Sequence, residues 1–181
     1  SVCAEGISEV LAAEPQSTSP QNPVRPAVIE GEIRLDSASF SYPGAERPVL
    51  QDVSLTARPG TTTAIVGSTG SGKSTLVALI CRLYDVTSGS VRMDGVDVRD
   101  FDPEQLWAAI GVVPQRGYLF SGTVADNLQF GAAPGQVATD DDMWHALKVA
   151  AADDFVRDHP DALSMRVAQG GINFSGGQRQ R

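Results

Sequence analysis

The spacing of apolar residues changes along the chain from strand-like alternation to helical periodicity. In residues 31–42 the apolar positions Ile33, Leu35, Ala38 and Phe40 alternate with polar ones, imperfectly at the centre, which is typical of a half-buried strand. The same reasoning predicts strands in residues 49–57, 63–66, 89–95 and 111–113, and helices in residues 74–84, 103–110, 123–130 and 139–152. Most of the predicted strands precede a region of predicted helices along the chain, and this order predicts an α/β core with a helical subdomain.

The first part of the chain has a different composition. Residues 1–15 show a weak helical pattern, and residues 15–26 (PQSTSPQNPVRP) are rich in Pro, Ser, Gln and Asn, with little to bury in a core. We therefore expect a linker over residues 1–27 and a compact domain over residues 28–181.

Charge and cysteine content exclude several classes of protein. The net charge of the 181-residue chain is -8, which argues against a nucleic-acid binder that works through a broad basic surface. The two cysteines are Cys3, in the expected linker, and Cys81, in an apolar run, so a disulfide framework is not expected. No apolar run approaches the roughly 18 residues that span a bilayer, and we expect this piece of chain to be soluble.

The strongest chemical signal is GSTGSGKS at residues 67–74, which matches G-x-x-x-x-G-K-[ST] at every fixed position. We call these residues the phosphate loop. Its glycines let the backbone turn tightly and aim N–H groups at phosphate oxygens, and the following helix adds the positive end of its dipole. Lys73 can bridge the β- and γ-phosphates, and the Ser74 hydroxyl can ligate Mg²⁺. A chance match is the alternative, but the apolar run before the loop and the apolar helix after it are the setting that the motif requires, so the sequence predicts a site for ATP and Mg²⁺.

Three further markers accompany the phosphate loop in a fixed order. Tyr42 lies in FSYPG, Gln115 lies in VVPQ, and residues 173–181 read NFSGGQRQR. Together these markers resemble the ATPase domain of ABC transporters over nearly all of residues 31–181. The resemblance implies an α/β fold: a P-loop NTPase core with an antiparallel β subdomain and a helical subdomain at roughly residues 116–181.

The resemblance also implies roles for individual residues. Tyr42 is similar to the aromatic residue that stacks on adenine, although its position also fits an aromatic at the edge of the core. Gln115 is similar to the glutamine that contacts Mg²⁺ and the attacking water, although by spacing alone it also fits a polar turn residue. The implied catalytic residues are Lys73 and Gln115, and the implied metal ligands are Ser74 and Gln115. The implied nucleotide-binding residues are Tyr42, Gly67, Ser68, Thr69, Gly70, Ser71, Gly72, Lys73, Ser74, Thr75, Ser175, Gly176, Gly177 and Gln178.

The SGGQ segment resembles the signature that closes on the γ-phosphate of ATP held by a partner domain. Ser175 offers a hydroxyl, and Gly176 and Gly177 offer exposed N–H groups at the start of a predicted helix. In the family, two domains sandwich two ATP molecules head to tail. The same residues also fit an ordinary helix cap, and the two roles are compatible.

Within the ABC family, the chain is similar to exporters, in which membrane and ATPase domains share one polypeptide. Residues 1–27 resemble the link from a last transmembrane helix, and residues 120–127 (FSGTVADN) resemble the exporter stretch near the docking groove for the membrane domain. The resemblance implies ATP-driven transport at the cytoplasmic face of the cell membrane. The implied partners are a second ABC ATPase domain, identical or different, and the transmembrane domain, but no nucleic acid.

The chain also departs from the family pattern. The family continues past the signature with an Mg²⁺-binding Asp, a catalytic Glu and a histidine, and His145 and His159 both precede the signature. We therefore expect a piece of a longer transporter, incomplete at the C-terminus of the fold, that binds ATP but hydrolyses it inefficiently. Gln169 lies near a position where the family often has Glu, and Phe174 is at a position where it usually has Leu. The segment therefore also resembles the catalytically impaired subunit of a heterodimeric exporter, which we keep as an alternative. A soluble ABC-type ATPase is a further alternative, and the transported substrate is not encoded in these residues.

Overall fold

The computed structural model describes residues 18–132 and 135–181. The chain divides into two compact units, Ser1–Gly111 and Val112–Arg181. The helical pattern predicted in residues 1–15 lies outside the described residues. Among the described helices, none has the length and apolar character needed to cross a membrane.

In its described residues, 18–111, the first unit has a four-stranded antiparallel sheet and two α-helices. Its elements are β1 (Ile33–Phe40), β2 (Leu50–Ala57), α1 (Lys73–Ile80), β3 (Ser88–Met93), β4 (Val96–Asp97) and α2 (Pro103–Ala108). The strand order is β2-β1-β3-β4, with every neighbouring pair antiparallel. This sheet confirms the predicted antiparallel β portion of an α/β fold.

A bulge in β1 explains why the alternation in the sequence is imperfect. Leu35, Ala38 and Phe40 are all buried, although the first two are three residues apart. Between them Ser37 has a left-handed φ of 45°, and the register with both neighbouring strands shifts at this point. The extra residue of a bulge returns the later side chains to the core face of the sheet.

Helix α1 is fixed to the sheet by its apolar side. Leu76 and Leu79 are 4% and 1% exposed and belong to the core of the first unit. Burying one such side chain stabilises the fold by about 1.5–3 kcal/mol. The buried residues of this core are Leu35, Ala38, Phe40, Leu50, Leu76, Leu79, Val91, Met93, Val98, Phe101 and Leu106.

Two predicted strands are absent, so those predictions are wrong for this structure. Residues 63–66 and 111–113 have no regular secondary structure, and Val66 and Val113 are 89% and 82% exposed. Their apolar, β-branched composition suits a strand, but a strand also needs a neighbour for its backbone N–H and C=O groups. In the described part of the chain, no strand pairs with either run.

The second unit is mainly helical, as the fold prediction requires. Its elements are β5 (Gly122–Thr123), α3 (Val124–Gln129), α4 (Asp140–Val149), α5 (Asp153–Arg157), β6 (Arg166–Val167) and α6 (Gly176–Gln180). β5 and β6 pair antiparallel. The buried residues of its separate core are Val124, Leu147, Ala152, Val156, Val167 and Phe174.

Helix α4 begins where the sequence predicts a helix. The Thr139 hydroxyl accepts a hydrogen bond from the Asp142 N–H (3.3 Å), and an Asp142 carboxylate oxygen accepts one from the Thr139 N–H (2.9 Å). This reciprocal arrangement is a capping box. Hydrogen bonds from the Thr139 side chain, and then from its backbone, hold the pKa of Asp142 below its usual value.

Candidate functional site

The phosphate loop leads directly into α1. Gly72 immediately precedes the helix with a left-handed φ of 88°, and no side chain caps the helix start. The first turn of α1 also contains no acidic residue. The helix therefore presents backbone N–H groups and the positive end of its dipole without a side-chain acceptor, an arrangement that favours a bound anion.

Two glycines of the loop are needed for different reasons. A Cβ atom at Gly72 would lie 2.6 Å from Cδ2 of Leu50 and 3.1 Å from the carbonyl oxygen of Val49. Gly70 also has a left-handed φ, of 82°, but a Cβ atom there would meet nothing within 4 Å. Gly72 therefore provides both the turn and the close approach to β2, whereas Gly70 provides the turn alone.

The side chain of Lys73 folds back onto the loop. Its ammonium donates to the carbonyl oxygens of Gly67 (2.9 Å) and Ser68 (2.6 Å) and to the Ser71 hydroxyl (3.2 Å). A Cβ atom at Gly67 would lie 2.6 Å from that hydroxyl oxygen, so a glycine is needed for Ser71 to occupy its place. These three hydrogen bonds use all three N–H donors of the ammonium. The Lys73 side chain thus closes a hydrogen-bonded ring with the backbone of its own loop.

A cavity of about 260 Å³ lies along the loop and is lined by Val49 and residues 70–75. Two neighbouring hydroxyls in the first turn of α1 have different surroundings. Ser74 is exposed, whereas Thr75 is buried with its hydroxyl oxygen 3.2 Å from the phenol oxygen of Tyr42. The Ser74 hydroxyl is therefore the one that is open to a ligand or an ion.

Tyr42 lies beside the first turn of α1 in a cluster of three aromatic rings. Its ring centroid is 4.9 Å from that of Phe40 and 5.3 Å from that of Tyr84, with edge-to-face geometry in both pairs. The side chain remains 37% exposed. Sequence reasoning missed Phe40 and Tyr84 as residues that position Tyr42, although Tyr84 is visible as the last aromatic of the predicted helix.

Gln115 belongs to the second unit and is exposed in a stretch without regular secondary structure. The residues on either side of it are held by Gln180 of α6. The Gln180 side chain donates to the carbonyl oxygen of Pro114 (3.0 Å) and accepts from the N–H of Gly117 (3.4 Å). A Cβ atom at Gly117 would lie 2.6 Å from the carbonyl oxygen of Arg179, so α6 packs directly on this loop.

Sequence reasoning also missed Gln180. It stands two residues beyond the SGGQ marker, and nothing in the sequence pairs it with the loop around Gln115. Its contacts join residues more than sixty positions apart, which local patterns do not predict.

The signature segment forms the start of α6. The Ser175 hydroxyl accepts from the Gln178 N–H (3.2 Å), and the Gln178 side chain accepts from the Ser175 N–H (2.9 Å), which makes a capping box. Gly176 and Gly177 are exposed, and a Cβ atom at either would meet nothing within 4 Å. Phe174, where the family usually has Leu, is buried with its ring centroid 6.2 Å from that of Phe155. The unusual residue is thus accommodated in the core, and the two glycines remain open.

The residues fit Mg²⁺ only as a shared site with a nucleotide. The described residues contain no group of three or more His, Cys, Asp or Glu side chains that could hold a metal ion. Mg²⁺ usually keeps several waters and takes one or two protein oxygens together with substrate phosphates. The exposed Ser74 hydroxyl, next to Lys73, suits that arrangement.

An exposed aromatic cluster lies in the second unit. Tyr118, Phe120 and Phe130 are 58%, 53% and 69% exposed. The ring centroid of Phe120 is 5.3 Å from that of Tyr118 and 4.9 Å from that of Phe130. Asn127 holds the backbone of Phe120 through two hydrogen bonds of 2.8 and 2.9 Å. We call these three rings the aromatic patch.

The structure thus gathers the predicted residues into two groups. In the first unit, the phosphate loop continues into the first turn of α1, where Thr75 contacts Tyr42. In the second unit, the loop around Gln115 is bonded to the helix that begins at the signature.

Comparison with known proteins relates these groups to a family. A family model described as ABC transporter matches residues 50–181. An uncharacterized ABC transporter ATP-binding protein of Mycobacterium tuberculosis is 66% identical over 182 residues, covering 100% of this chain and 31% of that protein. A multidrug efflux ATP-binding/permease protein of the same species is 42% identical over 180 residues, covering 97% of this chain and 14% of that protein. A putative multidrug export ATP-binding/permease protein of Staphylococcus aureus is 43% identical over 152 residues, covering 84% of this chain and 26% of that protein.

The fold is also similar to a solved structure, that of a bacterial Atm1-family ABC exporter with ATP bound. The TM-score is 0.87 at 29% sequence identity, with 98% of this chain and 31% of that chain covered. This chain therefore spans at most 31% of the length of the relatives and the structure described here.

Proposed function

The chain belongs to the ABC transporter family, and from that premise we propose that it is the ATP-binding motor domain of an exporter. Two of the relatives are multidrug efflux or export proteins, and the similar structure is an ABC exporter. In this proposal ATP binding and hydrolysis in the full-length protein drive transport across a membrane, with this domain at the cytoplasmic face. The observation that carries the proposal is the phosphate loop, which ends at an uncapped helix start with a lysine beside it.

The first unit binds the triphosphate in this proposal. The backbone N–H groups of the loop and of the first turn of α1 donate to phosphate oxygens. The Lys73 ammonium would exchange its loop oxygens for oxygens of the β- and γ-phosphates. The Ser74 hydroxyl would hold Mg²⁺, which would supply positive charge to offset that of the phosphates. Tyr42 contributes ring surface for the adenine, in a position fixed by its two aromatic neighbours.

From the family resemblance, we propose that Gln115 would orient the attacking water and would be a ligand of Mg²⁺. Because Gln180 bonds on both sides of it, the position of Gln115 depends on α6. Since α6 begins at the signature, a partner that moves the signature also moves Gln115. This link supports a functional role for the loop, because an ordinary polar turn needs no such anchoring.

We propose that the signature serves a nucleotide held by a second ABC ATPase domain, in a head-to-tail dimer. Gly176 and Gly177 present open backbone at the start of α6, with room for phosphate oxygens to approach closely. The oxygen of the Ser175 hydroxyl accepts the capping bond, and its O–H can still donate to a phosphate oxygen.

The other proposed partner is the transmembrane domain of the same transporter. Phe120, at the centre of the aromatic patch, begins the stretch that resembles the exporter sequence near the docking groove, and exposed aromatic clusters are typical of protein interfaces. We propose that residues 1–27 link that domain to the ATPase domain over residues 28–181.

Substitution of Lys73 tests the nucleotide site. We expect Lys73→Ala in the full-length protein to weaken MgATP binding at least about ten-fold, because a charged donor to phosphate is lost. The matched control is Lys148→Ala, which removes an exposed lysine at the end of α4, in the second unit. Titration calorimetry measures both variants, and equal affinities for Lys73→Ala and Lys148→Ala would contradict the proposal.

Substitution of Ser74 separates metal from phosphate recognition. We expect Ser74→Ala to reduce the affinity for MgATP while leaving the affinity for ATP in EDTA nearly unchanged, since only the metal ligand is removed. An equal loss in both conditions would show that the Ser74 hydroxyl does not act through Mg²⁺.

A further inference from the structure

An extended segment near the start of the described chain lies against the first unit. We call residues 18–26 the strap. At one end, the Val24 N–H donates to the carbonyl oxygen of Asp100 (2.7 Å), and the Asp102 N–H donates to the carbonyl oxygen of Val24 (3.0 Å). Arg25 donates to the Asp102 carboxylate at 2.7 and 3.0 Å. This end of the strap is therefore fixed at the start of α2, where Asp102 is the N-cap.

The other end of the strap is bonded to Arg82, just beyond α1. The Arg82 guanidinium donates to the carbonyl oxygen of Thr18 (2.6 Å) and to the Asp85 carboxylate (3.2 Å). The Arg82 side chain is only 5% exposed. A buried guanidinium needs its partners, because an unpaired charge in the interior is strongly unfavourable.

The backbone of Arg82 has a conformation that favours glycine. Its φ is 52°, in the left-handed region, and the Leu83 N–H bonds the carbonyl oxygen of Ala78 (2.9 Å) to end α1. Glycine is the residue that relieves strain at such a helix end. Arginine at this position has backbone strain that glycine would avoid, and the hydrogen bonds of its side chain to Thr18 and Asp85 offset that strain.

Between its two ends the strap is poorly packed. A cavity of about 400 Å³ is lined by strap residues together with Arg82 and Trp107. Every strap residue except the half-buried Pro20 and Pro26 is exposed. Polar contacts at two ends thus hold the strap, and a segment of this kind can detach while the core stays folded.

We propose that Arg82 is a positioning residue for nucleotide binding, which couples the strap to the phosphate loop through α1. Helix α1 is eight residues long, begins at Lys73 and is held on the sheet by two buried leucines. A short helix moves as one body, so a displacement at its Arg82 end is transmitted to the N–H groups and side chains of its first turn. This inference rests on the proposed nucleotide site.

The coupling works in both directions. If strap attachment favours the nucleotide-binding position of α1, then bound nucleotide favours strap attachment by the same factor. A chain segment outside the phosphate site can therefore regulate the affinity for ATP, and its attachment reports whether the site is occupied.

The test is Arg82→Gly in the full-length protein, measured by amide hydrogen exchange and by MgATP titration. Glycine removes the guanidinium but suits the left-handed backbone, so α1 still ends normally. We expect strap amides to exchange about ten-fold faster without nucleotide, because the bond from a charged donor is lost. We expect the affinity for MgATP to fall about five-fold, and the protection of the strap by MgATP to disappear.

Two controls separate coupling from general damage. Asp102→Asn removes the ion pair with Arg25 but still caps α2, so it loosens the far end of the strap without touching α1. We expect faster strap exchange in Asp102→Asn with an unchanged affinity for MgATP. Arg82→Lys keeps a cation and is expected to restore part of both effects.

Several outcomes overturn the coupling. It fails if strap exchange in Arg82→Gly equals that of the wild type, or if exchange rises while the affinity for MgATP stays the same. It fails equally if Asp102→Asn lowers that affinity as much as Arg82→Gly does. A wild-type protein that binds no MgATP would overturn the proposed function and this coupling together, so the two failures are distinguishable.

Discussion

Gly70 and Gly72 both adopt left-handed backbone conformations in the phosphate loop, yet only Gly72 lies close to other atoms. The motif fixes the residue at position 72 and leaves position 70 variable, and the structure gives a physical reason for that difference. A side chain at position 70 would strain the backbone, whereas at position 72 it would also collide with β2. Ser74 and Thr75 likewise differ in their surroundings although they are neighbours. The Ser74 hydroxyl is exposed, whereas the Thr75 hydroxyl contacts the phenol oxygen of Tyr42.

The pair Gly70→Ala and Gly72→Ala separates backbone strain from collision. We expect Gly70→Ala to lower the free energy of unfolding by about 1 kcal/mol through strain alone, after the gain from a stiffer unfolded chain. Gly72→Ala adds overpacking against Leu50, and we expect it to lower the free energy of unfolding by about 2–4 kcal/mol in total. Urea unfolding of both variants measures the difference, and equal losses would contradict the collision at Gly72.

At the scale of elements, three helices of the second unit begin with the same reciprocal cap. The pairs are Thr123 with Asp126 at α3, Thr139 with Asp142 at α4, and Ser175 with Gln178 at α6. The first two pairs end in a carboxylate, which suits the positive end of a helix. The cap of α6 ends in a neutral amide instead, which leaves the start of that helix favourable for an anion brought by a partner.

The cap of α4 has a predictable dependence on pH. Thr139→Ala should lower the free energy of unfolding by about 1 kcal/mol at neutral pH, and Thr139→Ser should preserve it. Because the folded pKa of Asp142 lies below its ordinary value of 3.8, its contribution is present above that value and is lost as the pH falls through the folded pKa. Denaturant unfolding between pH 7 and pH 2 should therefore show the difference between wild type and Thr139→Ala becoming smaller in acid, where the bond from the Thr139 hydroxyl to the carboxylate is weakened but the bond from the Asp142 N–H remains. A constant difference throughout would exclude a role for the carboxylate.

Because α6 contacts the loop around Gln115, we expect a substitution in this contact to change the ATPase rate more than the affinity for MgATP. Gln180→Ala should leave MgATP affinity within about two-fold of the wild type and lower the ATPase rate of the full-length protein about ten-fold, since Gln115 loses its anchors. Gln180→Glu keeps an acceptor for the Gly117 N–H but cannot donate to Pro114, so an intermediate rate is expected. Steady-state ATPase assays decide, and an unchanged rate in Gln180→Ala would remove Gln180 from the mechanism.

At the scale of the whole molecule, some of the exposed apolar residues in the described chain form clusters. The aromatic patch is one, and residues 65–66 and 112–113 are two others. Scattered apolar residues need no explanation, but clustered rings that are half exposed or more usually meet a partner. We propose that the aromatic patch contacts the membrane domain, because its central residue, Phe120, begins the stretch with exporter-like sequence.

Phe130→Ala tests that assignment. In the full-length protein we expect faster limited proteolysis of the ATPase domain, because docking to the membrane domain is weakened. Residues 1–181 alone should melt at the same temperature with and without the substitution, since Phe130 is 69% exposed. Val149→Ala, at a residue 76% exposed on α4, is the control and should change neither measurement. Equal proteolysis of Phe130→Ala and wild type would contradict docking at this patch.

Local chemistry in the sequence predicts much of this structure. The phosphate loop and the starts of α4 and α6 follow from residue types at short spacings, and the structure has helices where those signals stand. The bulge at Ser37 is visible as a break in alternation, although not as a left-handed residue. These features depend on interactions between residues close together in the chain.

The rest depends on contacts between distant residues. The runs at residues 63–66 and 111–113 have strand-like composition but no partner strand in the described residues, and pairing decides whether a strand forms. Arg82 and Gln180 bond residues 64 and 66 positions away, and no periodicity indicates such partners. Tyr42, predicted from its resemblance to an adenine-stacking residue, is positioned in part by Tyr84, which lies beyond the end of α1.

The ring formed by Lys73 and its own loop has a consequence for rates as well as affinities. Because loop oxygens hold the ammonium, they act as an internal competitor that is always present at high effective concentration. The measured association constant for ATP is then the intrinsic constant multiplied by the fraction of molecules in which Lys73 has left its loop oxygens. Association should accordingly show a saturating, concentration-independent limit at high ATP, set by how often the lysine leaves its own carbonyl groups.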